Sequence, residues 1–241
     1  MINRIGTIRH LFRYPVKSMA GVSLDAAPLG WHGIEGDRRL AFRRVEDRSG
    51  FPWLTASRVG ELVLYRPFGE TDGDSLLPSH VRTPDGKDLP LAGDELREVL
   101  SRRYGSAVEL MHLKQGIFDD ACVSVIMSVT IREILTAASR PTDVRRFRPN
   151  IVVDADGGAP FAEDRWLGKR LLFGAEDGPA IGVTQRDKRC VMINLDPETA
   201  ESHAEVLKAA VRLNDCHAGI YATVVRTGKL RVGHSVWLDE D

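Results

Sequence analysis

Short runs of alternating apolar and polar residues, each closed by a turn signal, constrain this 241-residue chain more than any other feature. From Thr7 to Tyr14, the side chains of Ile8, His10, Phe12 and Tyr14 fall on one face of a two-residue repeat. Arg39 to Val45 reads as another strand, closed by Glu46-Asp47-Arg48-Ser49-Gly50, and Glu61 to Arg66 as a third. Pro84-Asp85-Gly86-Lys87 has the composition of a hairpin turn. Ala107 to Leu113 is a further strand, and Ile220 to Val225 with Leu230 to Leu238 form a strand pair around Thr227-Gly228-Lys229. Helical spacing occurs at Asp94 to Tyr104, where Asp94 can cap and Gly105 can end the helix, at Val129 to Ser139 with Ser128 as N-cap, and at about Thr199 to Leu213. Short strands joined by turns predict a mainly β chain with some α (α+β), built from antiparallel sheets or barrels.

Lys114 to Asp120 is the clearest break in the pattern. It divides the chain into residues 1–115, mostly β with one terminal helix, and residues 116–241, a second mixed segment. No Gly-rich GxGxxG turn and no Walker-type lysine follows a strand, so the nucleotide-binding motifs are absent.

The formal net charge is −1, which gives no whole-chain field for nucleic acid or for an anionic membrane surface. Any anion must therefore meet a local cluster of Lys and Arg. No stretch approaches the ~20 apolar residues of a membrane span, and Met1 to Thr7 has no apolar core of a signal peptide. A cytoplasmic location, with neither membrane nor nucleic-acid partners, is the expectation. The three cysteines, Cys122, Cys190 and Cys216, are too few and too scattered for a disulfide framework, a CxxC zinc site or an ordinary iron–sulfur cluster.

Three segments carry candidate chemistry. Cys190 ends Thr184-Gln185-Arg186-Asp187-Lys188-Arg189-Cys190, where neighbouring cations favour the thiolate, the form that ligates metals and attacks electrophiles. The competing reading is a core cysteine opening a strand from Val191 to Leu195. Pro15-Val16-Lys17-Ser18 offers an ammonium, a hydroxyl and backbone N–H groups to a phosphate, or is simply a solvated loop. Arg145-Arg146-Phe147-Arg148-Pro149-Asn150 presents guanidinium groups before the apolar Ile151-Val152-Val153, or is a charged face ahead of a core strand. Ala162-Glu163-Asp164-Arg165-Trp166 reads as structural, an acidic first helical turn flanked by aromatics.

Taken in order, these segments resemble one family. Tyr14-Pro15-Val16-Lys17-Ser18 and Gly36-Asp37-Arg38 are similar to two motifs of the MOSC N-terminal β-barrel domain. Phe147-Arg148-Pro149-Asn150-Ile151, Ala162-Glu163-Asp164-Arg165-Trp166, and Arg189-Cys190 followed by Asp196-Pro197-Glu198-Thr199 resemble the MOSC domain. The arrangement resembles that of the mitochondrial amidoxime-reducing component and its bacterial counterparts. The resemblance implies an N-terminal β-barrel-like domain over 1–115 and a MOSC β-barrel domain with peripheral helices over 116–241. It implies a molybdenum cofactor (molybdopterin), with Cys190 as metal ligand and catalytic centre and with Lys17, Ser18, Arg38, Ser128, Arg148 and Asn150 as cofactor contacts. It implies a reductase of small N-hydroxylated compounds. The chain leaves no room for a fused ferredoxin-like domain, so electrons are expected from a separate ferredoxin- or flavoprotein-type partner. The alternative is a non-catalytic cofactor or sulfur carrier that uses Cys190.

Overall fold

The computed structural model describes residues 1–70 and 76–240. Its strands, in chain order, are β1 (Ile2–Arg13), β2 (Val22–Leu24), β3 (Ala26–Gly30), β4 (Gly33–Ile34), β5 (Leu40–Arg44), β6 (Arg66–Phe68), β7 (His80–Arg82), β8 (Asp88–Pro90), β9 (Val108–His112), β10 (Val123–Met127), β11 (Ile151–Ala155), β12 (Arg170–Phe173), β13 (Ala180–Lys188), β14 (His217–Arg226), β15 (Gly228–Arg231) and β16 (Ser235–Asp239). The α-helices are α1 (Asp94–Tyr104), α2 (Ser128–Ala137) and α3 (Ala204–Asn214).

Strands β1, β11, β10, β14, β13, β12 and β16 pair in that order, and β16 returns to β1, which closes a barrel. Closure leaves no edge among these seven strands. The β10–β11 pair is parallel, which requires a crossover, and α2 supplies it. Inward-facing Ile8, Leu11, Val125, Val153, Leu171, Ile181, Ile220 and Val236 fill the barrel. A second core lies outside it, with Leu40, Phe42, Leu54, Leu62, Tyr65, Val81, Leu96 and Leu100 gathered under α1. A third packs α2 and α3 against the outer barrel wall through Ile131, Ile134, Leu135, Val206 and Ala210.

Two strands cross the expected break near residue 115. β1 comes from the first segment yet pairs with β11 and β16, while β15 from the second segment pairs with β3.

Helix α1 runs over the expected residues, and Gly105 ends it in the left-handed region at φ 88°. Its N-cap is Gly93; Asp94 instead lies within the first turn and pairs with Arg97. Other elements correct the sequence reading. Glu61 to Arg66 is mostly a 3₁₀ turn, Gly60–Leu64, which buries the adjacent Leu62 and Val63 together; a strand would send them to opposite faces. Val191–Asn194 is likewise a 3₁₀ turn, so the strand at Cys190 is β13 before it and not one beginning after it. Helix α3 starts at Ala204, because the Asp196 carboxylate accepts from the Glu198 and Thr199 backbones and folds that stretch into a turn. The tail segments do not pair with each other: β14 joins β10 and β13, β15 joins β3, and β16 joins β1 and β12.

Candidate functional site

A cavity of about 350 Å³ opens where the barrel meets the second core. It gathers Lys17, Ser18, Arg38, Arg148 and Cys190 from segments far apart in sequence. Two of the expected residues lie elsewhere.

The N-terminal wall depends on left-handed backbone. Ser18 and Arg38 have φ of 66° and 49°. Gly36 precedes the second of these turns at φ 80°, and a Cβ there would lie 2.8 Å from the Leu76 carbonyl oxygen. The fully buried Asp37 holds the turn: one oxygen accepts from the Tyr14 backbone N–H at 2.6 Å and the other pairs with the Arg38 guanidinium. Burial is the largest influence on Arg38 and works against its charge, but Asp37 together with Tyr14, Tyr221 and Asp119 outweighs it and raises the Arg38 pKa above its ordinary value. Arg38 Nη2 also donates to the Arg148 carbonyl at 3.1 Å. Lys17 is buried, and its ammonium donates to the Ile117 carbonyl (3.1 Å) and to Asp119 (2.9 Å). Burial lowers its pKa despite Asp119, so this is a cation that gains from an anionic neighbour.

Arg148 is left-handed at φ 48°, and its guanidinium stacks 4.3 Å from the Tyr14 ring, with Arg38 at 4.9 Å from the same ring. Burial, aided by the like charge of Arg38, pulls Arg148 down to about 10.

The barrel wall is the end of β13. Its register with β14 shifts between Val183 and Gln185 and again between Arg186 and Lys188, and such bulges re-aim the residues that follow. Asp187 and Arg189 turn inward as a buried pair at 2.9 Å, with Ser124 Oγ donating to Asp187 at 3.1 Å. Burial raises the Asp187 pKa against the pull of Arg189. Arg189 is fixed further by the carbonyls of Ala218 (2.7 Å) and Phe147 (2.8 Å). Gly219 permits this approach, since a Cβ there would lie 2.6 Å from the Val125 carbonyl oxygen and 3.2 Å from Arg189 Nη2. Next in the chain, Cys190 is exposed and its thiol is free.

Asn150 does not line the cavity. It is buried behind the wall, where its amide oxygen accepts from the Ser124 N–H (3.1 Å) and its amide nitrogen donates to the Phe12 carbonyl (3.3 Å), tying β1 to β10. Ser128 also lies outside, as the first residue of α2, with its hydroxyl donating to Asp154. It is not the N-cap: that position is Met127, and the Ser128 side chain makes no cap hydrogen bond. Glu163 takes that role from another element: it is fully buried, with one oxygen accepting from the Met127 N–H (3.2 Å) and the other from Thr130 Oγ1 (2.9 Å). Burial pushes the Glu163 carboxyl up to about 7.

Sequence reasoning missed Phe51, Asp119, Asp187 and Tyr221 as lining residues. Only Asp187 had a local signal, as the one acid inside the basic run before Cys190.

The fold and site define a class: a closed, mostly antiparallel barrel that carries a free thiol at a strand end, facing a cluster of cations. Residues 112–237 match the MOSC domain family. The chain belongs to that family. Mitochondrial amidoxime reducing component 2 of Bos taurus is 26% identical, over 98% of this chain and 84% of its own length. Mitochondrial amidoxime-reducing component 1 of Homo sapiens is 24% identical, over 99% of this chain and 84% of its own. Molybdenum cofactor sulfurase of Drosophila mojavensis is 24% identical over 91% of this chain, which corresponds to 30% of that larger protein. Among solved structures, the YuaD protein from Bacillus subtilis superposes with a TM-score of 0.52 at 16% identity, over 99% of this chain and 98% of that one, which supports the fold. No helix among the described residues is long and apolar enough to cross a membrane.

Proposed function

We propose that this protein binds a molybdenum cofactor in the Cys190 cleft and reduces small N-hydroxylated compounds. One observation carries the reading: the exposed Cys190 thiol lines the same cavity as Lys17, Ser18, Arg38 and Arg148. The donor set suits the group. A dithiolene-bound molybdenum is soft and takes a thiolate, and a pterin phosphate takes cations and hydroxyls. The bound cofactor would supply the two-electron chemistry that cleaves the N–O bond.

Cys190 would hold the metal. Lys17 and Ser18 would hold the phosphate, with Lys17 exchanging its contact to Asp119 for one to the ligand. Arg38 from the N-terminal wall and Arg148 from the turn before β11 would orient the pterin, and Asn150 would act from behind by holding the Ser124 backbone and the end of β1 in place. Ser128, turned to Asp154, would support α2 and not the cofactor. Electrons would come from a separate protein of ferredoxin or flavoprotein type.

The relatives named as amidoxime reducing components favour a reductase over a carrier. The sulfurase relative is the specific observation for the carrier reading, in which Cys190 holds the cofactor or a persulfide for transfer. Turnover separates the two. Cofactor-loaded protein with an artificial electron donor is expected to convert an amidoxime to the amidine over many cycles, and loaded protein that gives no turnover supports the carrier.

A further inference from the structure

Behind the Tyr14 ring lies a second cavity of about 160 Å³, which contains neither Cys190 nor Lys17. Its apolar walls include Phe12, Val63, Leu195 and Pro197. Four arginines also line it, Arg66, Arg145, Arg146 and Arg148.

Three of these cations are matched by carboxylates. Arg66 and Arg145 share Glu198, Arg145 also pairs with Asp143, and Arg146 pairs with Asp196. Arg148 has no carboxylate partner among the described residues; its Nη1 donates to the Met19 carbonyl at 2.7 Å. The cavity therefore holds one cation in excess.

Three lining side chains each keep a buried polar atom without a hydrogen-bond partner: the Tyr14 hydroxyl, Arg146 Nε and Arg148 Nη2. Tyr14 and Arg146 are 2% and 4% exposed, so bulk water is not their ordinary partner. All three can donate. Burial pushes the Tyr14 phenol up to about 12, which keeps its proton in place at physiological pH. Buried donors are normally satisfied, and three unsatisfied donors around one cavity call for an acceptor.

We propose that this cavity is a binding site for a small oxyanion, held by the Tyr14 hydroxyl, Arg146 and Arg148. The site lacks Cys190 and Lys17, shares only Arg148 with the cleft, and does not depend on the cofactor reading. Apolar walls with a few convergent donors suit a carboxylate carrying a small apolar body. Inorganic phosphate shares the recognised chemistry. Because Arg148 lines both cavities, the ligand would also fix the guanidinium that faces the cleft.

The test is thermal unfolding of the full chain against increasing benzoate or phosphate, at constant ionic strength set with chloride. A saturable rise in Tm is expected, since a ligand of the folded state stabilises it by mass action. Tyr14→Phe should weaken apparent affinity roughly tenfold, as expected for one lost hydrogen bond to a charged group. Arg146→Lys, which removes Nε but keeps the charge, serves as a second variant should Tyr14→Phe fail to fold. Lys17→Ala, in the other cavity, should leave the response intact. A larger response to benzoate identifies an organic carboxylate, and a larger response to phosphate an inorganic anion. The proposal is overturned by no saturable response in the wild type, by a response that survives both Tyr14→Phe and Arg146→Lys, or by one that Lys17→Ala abolishes.

Discussion

The cations on the N-terminal wall of the Cys190 cleft are held by partners of their own, whereas the thiol on the barrel wall takes no hydrogen bond among the described residues. Arg38 rests on Asp37 and the Arg148 carbonyl, and Lys17 on Ile117 and Asp119. Cys190 Sγ has no hydrogen-bond partner among the described residues; the bulged end of β13 and the Asp187–Arg189 pair set its position. The difference is physical. Cations brought out of water need compensation in the folded state, and left-handed Ser18 and Arg38 persist only where neighbours enforce them. A thiol that is to ligate a metal must stay uncommitted. Folding energy should thus depend on the carboxylate that compensates the buried cation and hardly at all on the thiol.

Asp37→Ala tests that division most severely. It leaves the buried Arg38 guanidinium uncompensated and frees the Tyr14 N–H, and should cost about 3–5 kcal/mol in urea unfolding. Cys190→Ala should leave the unfolding midpoint nearly unchanged. Equal losses from the two variants would break the comparison.

Glu163 gives the next largest effect, on the barrel side. Its carboxyl titrates near 7 in the folded protein and near its ordinary 4.5 when unfolded. The folded state holds the extra proton between these values, so stability should fall as pH rises from 4.5 to 7, by about 3 kcal/mol in all. Glu163→Gln should flatten that slope, because an amide can still accept from Met127 N–H without a charge to bury. An unchanged slope in urea unfolding across this pH range would remove Glu163 as its source.

Lys17→Ala should lose cofactor more than stability. Its contacts are one carbonyl, one half-exposed carboxylate and the Phe51 ring, so about 1–2 kcal/mol is expected in unfolding, beside a marked drop in pterin retained through gel filtration. The smallest effect belongs to Ser128→Ala, at most about 1 kcal/mol with pterin retention unaltered, because its hydroxyl faces Asp154. A loss of pterin there would restore Ser128 to the site.

The sequence shows the ingredients of both walls but not their assembly. Cys190, Lys17, Ser18, Arg38 and Arg148 were legible because each sits in a short motif whose chemistry or family likeness is local. Asn150 was legible as a motif, yet its place behind the wall depends on the β1–β10 neighbourhood, which no local pattern encodes. Phe51 and Asp119 come from irregular segments that only tertiary packing brings to the cleft. Helix α1 was legible to the residue because a left-handed glycine ends it. The 3₁₀ turns at Gly60–Leu64 and Val191–Asn194 were not, since a four- or five-residue apolar run fits a strand equally well. Barrel closure by β1 joins residues 140 or more apart, a pairing that alternation cannot specify.

The measurement that meets the central claim most directly is the molybdenum and pterin content of the protein purified without oxygen from a cofactor-replete host, beside Cys190→Ala. Near-stoichiometric metal and pterin are expected in the wild type, with metal lost or labile in the variant. Neither metal nor pterin in the wild type, or equal metal retention in both proteins, would contradict that claim.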